Sequence, residues 1–152
     1  MKRVLTWSLT GLLVLLIIIQ FLPLAGAKTN PPVVVEPEWD SPQTRELAVR
    51  ACYDCHSNET EWPWYSNVAP VSWLVIHDTE EGRGKLNFSE WNRPQKDADE
   101  AAENVREGSM PLPIYLPLHP EARLSDEEKT LLADGLQKTL GGDTNMQGED
   151  NN

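Results

Sequence analysis

Apolar and polar positions divide this chain into stretches of different kinds. From Val4 to Leu24 the apolar run is almost unbroken, interrupted only by Thr6, Ser8, Thr10, Gln20 and Pro23. It has the length, roughly 20 residues, that a helix needs to cross a bilayer. Lys2 and Arg3 precede it and would hold its start in the cytoplasm, so that the remainder lies outside. Ala25-Gly26-Ala27 is also a small-x-small cleavage pattern with Pro23 just before it. Residues 1–27 therefore read as a transmembrane anchor or as a signal peptide removed after Ala27, with one topology in either case. The run exceeds the roughly 7–15-residue core of a signal peptide, which favours the anchor.

Beyond this segment the patterns are short and helical. Residues 28–40 hold Pro31, Pro32 and Pro37 around Val33-Val34-Val35 and read as an extended tether that spaces the domain from the membrane. Ser41-Pro42 is a helix start, with serine at the cap and proline at the first helical position. Leu47, Ala48, Ala51 and Cys52 then share one face. Pro70 opens a second helix with Val71, Leu74, Val75 and His77 inward, ending in the loop Glu80-Glu81-Gly82-Arg83-Gly84. A third helix is expected from about Gln95 to Glu107, with Ala98, Ala101, Ala102 and Val105 inside and Gly108 as its stop. Ser125-Asp126-Glu127-Glu128 is a capping box for a last helix carrying Leu132, Leu136 and Leu140 and ending at Gly141-Gly142. No strand pattern stands out, so residues 41–142 are expected to form one all-α domain, and 143–152 a polar, disordered tail.

Charge narrows the partners. The chain has 13 basic and 24 acidic residues, a formal net charge of −11. Outside the first three residues no Lys/Arg cluster exists to displace the counterions of DNA or RNA, which argues against nucleic acid. An acidic exported domain suits redox partner proteins with basic docking surfaces, steered by a field that salt screens.

The chemistry lies in Cys52-Tyr53-Asp54-Cys55-His56, which holds both cysteines of the chain. Cys-x-x-Cys-His is the spacing by which haem is attached covalently in c-type cytochromes. Two thiols three positions apart on a helical turn reach the two vinyl groups on one porphyrin edge, and the next imidazole lies under the iron. Cys52 and Cys55 would be the thioethers and His56 the first axial ligand of one haem c. A thioredoxin-like pair would expect a βαβ setting. A zinc site would need both cysteines and two of His56, His77 and His119.

Iron opposite His56 calls for a second ligand. Met110, in Gly108-Ser109-Met110-Pro111-Leu112-Pro113, sits in a proline-rich loop able to hold a thioether rigidly; His119 and His77 are the other candidates. The aromatic cluster Trp62-Pro63-Trp64-Tyr65 needs a flat apolar surface to cover, and Trp64 and Tyr65 are candidate walls of a haem pocket.

A helix leading into Cys-x-x-Cys-His, a late Met-Pro loop and a closing helix resemble the small class I cytochromes c, in which the first and last helices cross and the loop methionine binds iron. More specifically, Cys52 to Thr60, Trp62 to Tyr65, Ala69-Pro70-Val71-Ser72-Trp73, Leu86-Asn87-Phe88-Ser89-Glu90-Trp91 and Met110 to Pro113 resemble the bacterial haem-binding domain family, over about Ser41 to Leu140. Its members are commonly exported or membrane-anchored. The resemblance implies haem on Cys52 and Cys55, His56 as proximal ligand, and Met110 at the methionine-loop position. An electron carrier rather than an enzyme is expected, anchored in a bacterial inner membrane with its domain in the periplasm or outside the cell. A haem sensor or peroxidatic domain with an open sixth site is the alternative, and a zinc-binding structural module the lesser one.

Overall fold

Residues 2–22 and 26–141 are described by a computed structural model. Part of the small-x-small pattern at Ala25 and the tail from residue 142 lie outside them. Among the described residues the structure is all-α, as expected, with one isolated parallel bridge between Val35 and Glu90 in place of any strand. The helices are α1 Lys2–Ile19, α2 Pro42–Ala51, α3 Tyr53–His56, α4 Val71–Lys85, α5 Ala101–Glu107 and α6 Asp126–Gly141. Helix α1 buries no residue and is long and apolar enough to cross a membrane.

Two helix starts form as their sequences direct. The Ser41 hydroxyl accepts from the Thr44 N–H at 3.1 Å, with Pro42 in the first turn. At α6 the Ser125 hydroxyl accepts from Glu128 N–H at 3.2 Å while the Glu128 carboxylate accepts from Ser125 N–H at 2.8 Å, so two otherwise orphaned donors are satisfied reciprocally. Helix α6 packs on α2 and α5, and α4 packs on α3. Leu47, Ala48, Leu132, Ala133 and Leu136 fill the centre of the α2–α6 contact.

Two helices differ from expectation. Helix α4 does not end at Glu80 but runs through the glycines to Lys85, and its buried face is Ile76, Thr79 and Gly82 rather than Val71, Leu74, Val75 and His77. Gly82 is there for close packing: an added Cβ would lie 2.5 Å from the Cys55 carbonyl oxygen. Helix α5 begins at Ala101, not Gln95. The Gln95 side chain instead accepts from Asn87 N–H and donates to the Glu90 carbonyl, both at 2.8 Å, and Lys96 N–H bonds the Lys85 carbonyl at 2.9 Å. These bonds hold the segment in a non-helical path.

The segment 28–40 is extended, but it is fastened to the domain rather than standing free. Val34 and Val35 N–H donate to the Ser89 carbonyl, Trp91 N–H to the Val35 carbonyl at 2.9 Å, and Asn30 Nδ2 to the Thr60 carbonyl at 2.9 Å. Pro37 is buried, and the Trp39 ring lies 5.1 Å from that of Phe88. We call this segment the strap.

Glu36 in the strap accepts from Arg45 at 2.6 and 2.7 Å and from Trp39 Nε1 at 2.8 Å. The Arg45 guanidinium chiefly, then the indole donor, holds its carboxyl below the usual range. A carboxyl depressed on folding adds stability above its unfolded pKa that is lost as pH falls through the folded value. The pair is partly exposed, which keeps its worth under about 1 kcal/mol. Glu36→Gln is expected to reduce the drop in melting temperature between neutral and strongly acid pH, measured by circular dichroism.

At the α2–α6 contact an added Cβ on Gly135 would lie 2.1 Å from Thr44 Oγ1 and 2.5 Å from its Cγ2. Thr44 is buried and its hydroxyl donates to Asp40 at 2.5 Å, so it cannot turn aside freely. Gly135→Ala is expected to destabilise the fold by about 1–3 kcal/mol through overpacking, against the roughly 1 kcal/mol that alanine gains in a helix. Thermal unfolding reads the sign directly.

Candidate cofactor site

Helix α2 ends at Cys52, and the turn of α3 follows at once, with His56 N–H bonded to the Cys52 carbonyl at 2.9 Å. This places Cys52, Cys55 and His56 on one wall of an apolar cavity of about 310 Å³. Met110, Pro111, Leu112 and Tyr115 come from the loop before α6, and Gly82 and Lys85 from α4, to line the same cavity. A second apolar cavity of about 290 Å³ adjoins it, lined by Tyr65, Val71, Leu74, Val75, Ile114 and Leu118. Asp54, Cys55, Asp78 and Tyr115 line both, so the two form one crevice. Its size suits a large flat ligand, since ligand sites run from roughly 300 to 1,000 Å³.

The imidazole of His56 has its orientation set from α4. Its Nδ1 lies 3.1 Å from the Leu86 carbonyl and 3.2 Å from that of Gly82. Two acceptors require Nδ1 to carry the proton, which leaves Nε2 with its lone pair. Burial holds the ring below the ordinary histidine range, only partly offset by those carbonyls, so it is neutral at pH 7. A neutral imidazole bonded through its other nitrogen is the state a metal ligand needs.

The thiols are shifted the other way. Burial pushes Cys52 and Cys55 up to about 12, with the mutual interaction of the pair adding at Cys52 and the carboxylates of Asp54 and Asp78 at Cys55. A redox-active Cys-x-x-Cys needs the opposite shift. Among the described residues no group of three or more His, Cys, Asp or Glu is placed to hold a metal ion.

Met110 is positioned by its backbone, since its N–H donates to the Asn104 carbonyl at 3.1 Å and the preceding Ser109 hydroxyl bonds the same carbonyl at 3.0 Å. Gly108, at φ 74°, turns the chain out of α5 into this loop. Of the other candidate ligands, His119 lines the second cavity and His77 lines neither. His119 is buried with Nε2 3.1 Å from the Tyr65 hydroxyl and Nδ1 3.0 Å from the Tyr115 carbonyl, so both nitrogens are engaged. His77 is on the surface, 3.3 Å from Glu81. Tyr65 lines the second cavity, whereas Trp64 is 78% exposed and lines neither. An indole beside a proline bend faces outward here because the following 3₁₀ turn, Trp64–Asn67, buries Ser66 instead.

Sequence reasoning missed three residues. Tyr115 donates from its hydroxyl to Asp54 at 2.6 Å and stacks on His119 with ring centroids 3.6 Å apart, tying the methionine loop to the motif. Gly82 was read as a loop residue, although a glycine within a helical stretch can mark close packing. Arg83 donates to the Ser57 and Thr29 carbonyls, to Asn30 and to the Thr60 hydroxyl. These bonds join the motif, the strap and α4 through one side chain.

An all-helical domain with two thiols and an imidazole on the wall of a long apolar crevice is of the class that holds a large prosthetic group. The family model of the haem-binding domain matches residues 14–138. The chain belongs to that family. No curated protein and no solved structure matches it.

Gly82 and Gly84 offer a paired check on the α3–α4 contact. The Cβ of an alanine at 82 would meet the Cys55 backbone, whereas at 84 it would meet nothing within 4 Å. Gly82→Ala is expected to lower stability by about 1–3 kcal/mol and Gly84→Ala to raise it by about 0.4–1 kcal/mol, compared by chemical denaturation.

Proposed function

We propose that the domain carries one covalently attached haem c, held by Cys52 and Cys55 with His56 and Met110 as axial ligands, and that it passes single electrons outside the cytoplasm. The fixed tautomer of His56, with both thiols on the same cavity wall, is the observation that carries this reading. When bound, the haem supplies a reversible one-electron couple, with a potential set by axial ligands, hydrogen bonding and burial. The Leu86 and Gly82 carbonyls hold the Nδ1 proton and make Nε2 a stronger donor. A thioether opposite an imidazole favours a higher potential than a second imidazole would. The apolar walls that include Tyr65, Val71, Leu74, Ile114 and Leu118 would lie against the haem faces and reduce their contact with water.

The net charge of −11 supports electron exchange with partners that present basic surfaces, at rates that fall with ionic strength. Lys2 and Arg3 in the first turn of α1 support an anchor in the bacterial inner membrane with the domain on the periplasmic side. Electron transfer by a six-coordinate centre transforms no substrate, so the domain acts as a carrier and not as an enzyme.

Spectra of protein made in a host able to attach haem test the reading. A Soret band that stays with the polypeptide on denaturation, a ferric sulfur-to-iron charge-transfer band lost in Met110→Ala, and no carbon monoxide binding to the reduced form are expected. Haem extractable from the denatured chain would refute covalent attachment. Retention of the charge-transfer band in Met110→Ala would refute the methionine, and fast stoichiometric carbon monoxide binding would assign an open-site sensor or peroxidatic domain instead.

A further inference from the structure

We propose that the domain face formed by Trp64, Val68, Val71, Leu74, Ile114 and Leu118 rests in the headgroup layer of a phospholipid bilayer, so that the crevice opens toward lipid. This rests on α1 acting as a membrane anchor.

The chain leaves little room for another arrangement. The Gln20 carboxamide, at the end of α1, donates to the Ala69 carbonyl at 3.0 Å and accepts from Ala69 N–H at 2.9 Å. The strap is fastened from Thr29 and Asn30 onward by Arg83 and Thr60. Leu22 and Thr29 can be separated by at most about 25 Å even when the chain between them is fully extended. The family match also begins inside α1 and continues through the strap, so helix end and domain fall within one matched unit.

Charge is distributed to suit. In a chain with 24% charged residues, Trp62 to Ile76 and Gly108 to Leu118 contain no Asp, Glu, Lys or Arg. The two stretches fold side by side, because Val71 and Leu74 line the same cavity as Ile114 and Leu118. Helix α4 starts next to Ala69, where Gln20 attaches, and is uncharged through Ile76; His77, Asp78, Glu80, Glu81, Arg83 and Lys85 all follow. Charge therefore rises along α4 with distance from the end of α1.

Exposure completes the case. Trp64 is 78% exposed and its ring lies 5.8 Å from that of Tyr65, which lines the same cavity as Ile114, 67% exposed, and Leu118, 64%; large apolar patches are uncommon on soluble surfaces. Haem in the crevice would cover the cavity walls, but Trp64 and Val68 line neither cavity. Tryptophan is also a residue that bilayer interfaces favour. The acidic domain gains nothing from anionic lipid, so the attraction is apolar and a zwitterionic surface suffices.

Full-length haem-loaded protein in phosphatidylcholine vesicles doped with a diazirine-bearing phospholipid provides the test, after its intact mass has been read. Irradiation is expected to place lipid adducts on peptides covering 62–76 and 108–118 as well as on α1. Substituting Trp64→Ser and Val68→Ser together, at two residues that line neither cavity, should reduce the adducts on 62–76 severalfold, with α1 labelling and the visible spectrum unchanged. Adducts confined to α1 in an intact chain would overturn the docking while leaving the anchor standing, and adducts at these peptides that fade as the protein-to-lipid ratio rises would assign the face to a second copy. A mature N-terminus at Lys28 would overturn the anchor and the docking with it.

Discussion

The seat that the last turn of α4 gives His56 is the contact on which the rest of this structure depends. Two carbonyls, of Gly82 and Leu86, meet one ring nitrogen, and they can approach because residue 82 has no side chain to press on Cys55. The same segment continues the grip on the motif. Arg83 binds the Ser57 carbonyl, Phe88 N–H donates to the His56 carbonyl at 2.8 Å, and the Ser89 hydroxyl accepts from Asn58 N–H at 2.9 Å. The two thiols and the imidazole are thus held from one side by a continuous stretch of chain, leaving the other side for the crevice.

Buried polarity makes that grip specific. Ser57, Asn58, Asn87 and Ser89 are almost wholly inaccessible, and each has partners, including Asn87 Nδ2 to Asn58 Oδ1 at 2.9 Å. Satisfied networks of this kind fix one arrangement, since any shift would strand a buried donor or acceptor. The strap joins the network through Asn58 Nδ2 on the Pro32 carbonyl and Arg83 on the Thr29 carbonyl. A segment that looks like a spacer is consequently fastened to the domain along its length.

The methionine loop is tied to this frame by separate means. The Tyr115 hydroxyl reaches Asp54 inside the motif, while its ring stacks on His119, which in turn bonds Tyr65. His119 bridges Tyr65 and the Tyr115 carbonyl through its two ring nitrogens. Both of its nitrogens are occupied, and its position holds the crevice wall in shape.

Much was legible in order along the chain. The capping residues Ser41 and Ser125, the face of Leu132, Leu136 and Leu140, and the all-helical class follow from local spacing, because helix signals act within a turn or two. The motif carried its chemistry the same way, since Cys52, Cys55 and His56 are neighbours. The extent of α4, the late start of α5 and the fastening of the strap were not legible. They depend on bonds between residues far apart in the chain, such as Gly82 to Cys55 and Val35 to Trp91. Trp64 and His119 show the same limit, because an aromatic cluster or a lone histidine has no periodicity that says which way it faces. Local spacing was enough for the helix caps and for setting Cys52, Cys55 and His56 side by side. Only tertiary structure decided which histidine kept a free nitrogen, because that depended on where α4 and the Tyr115 loop brought their acceptors.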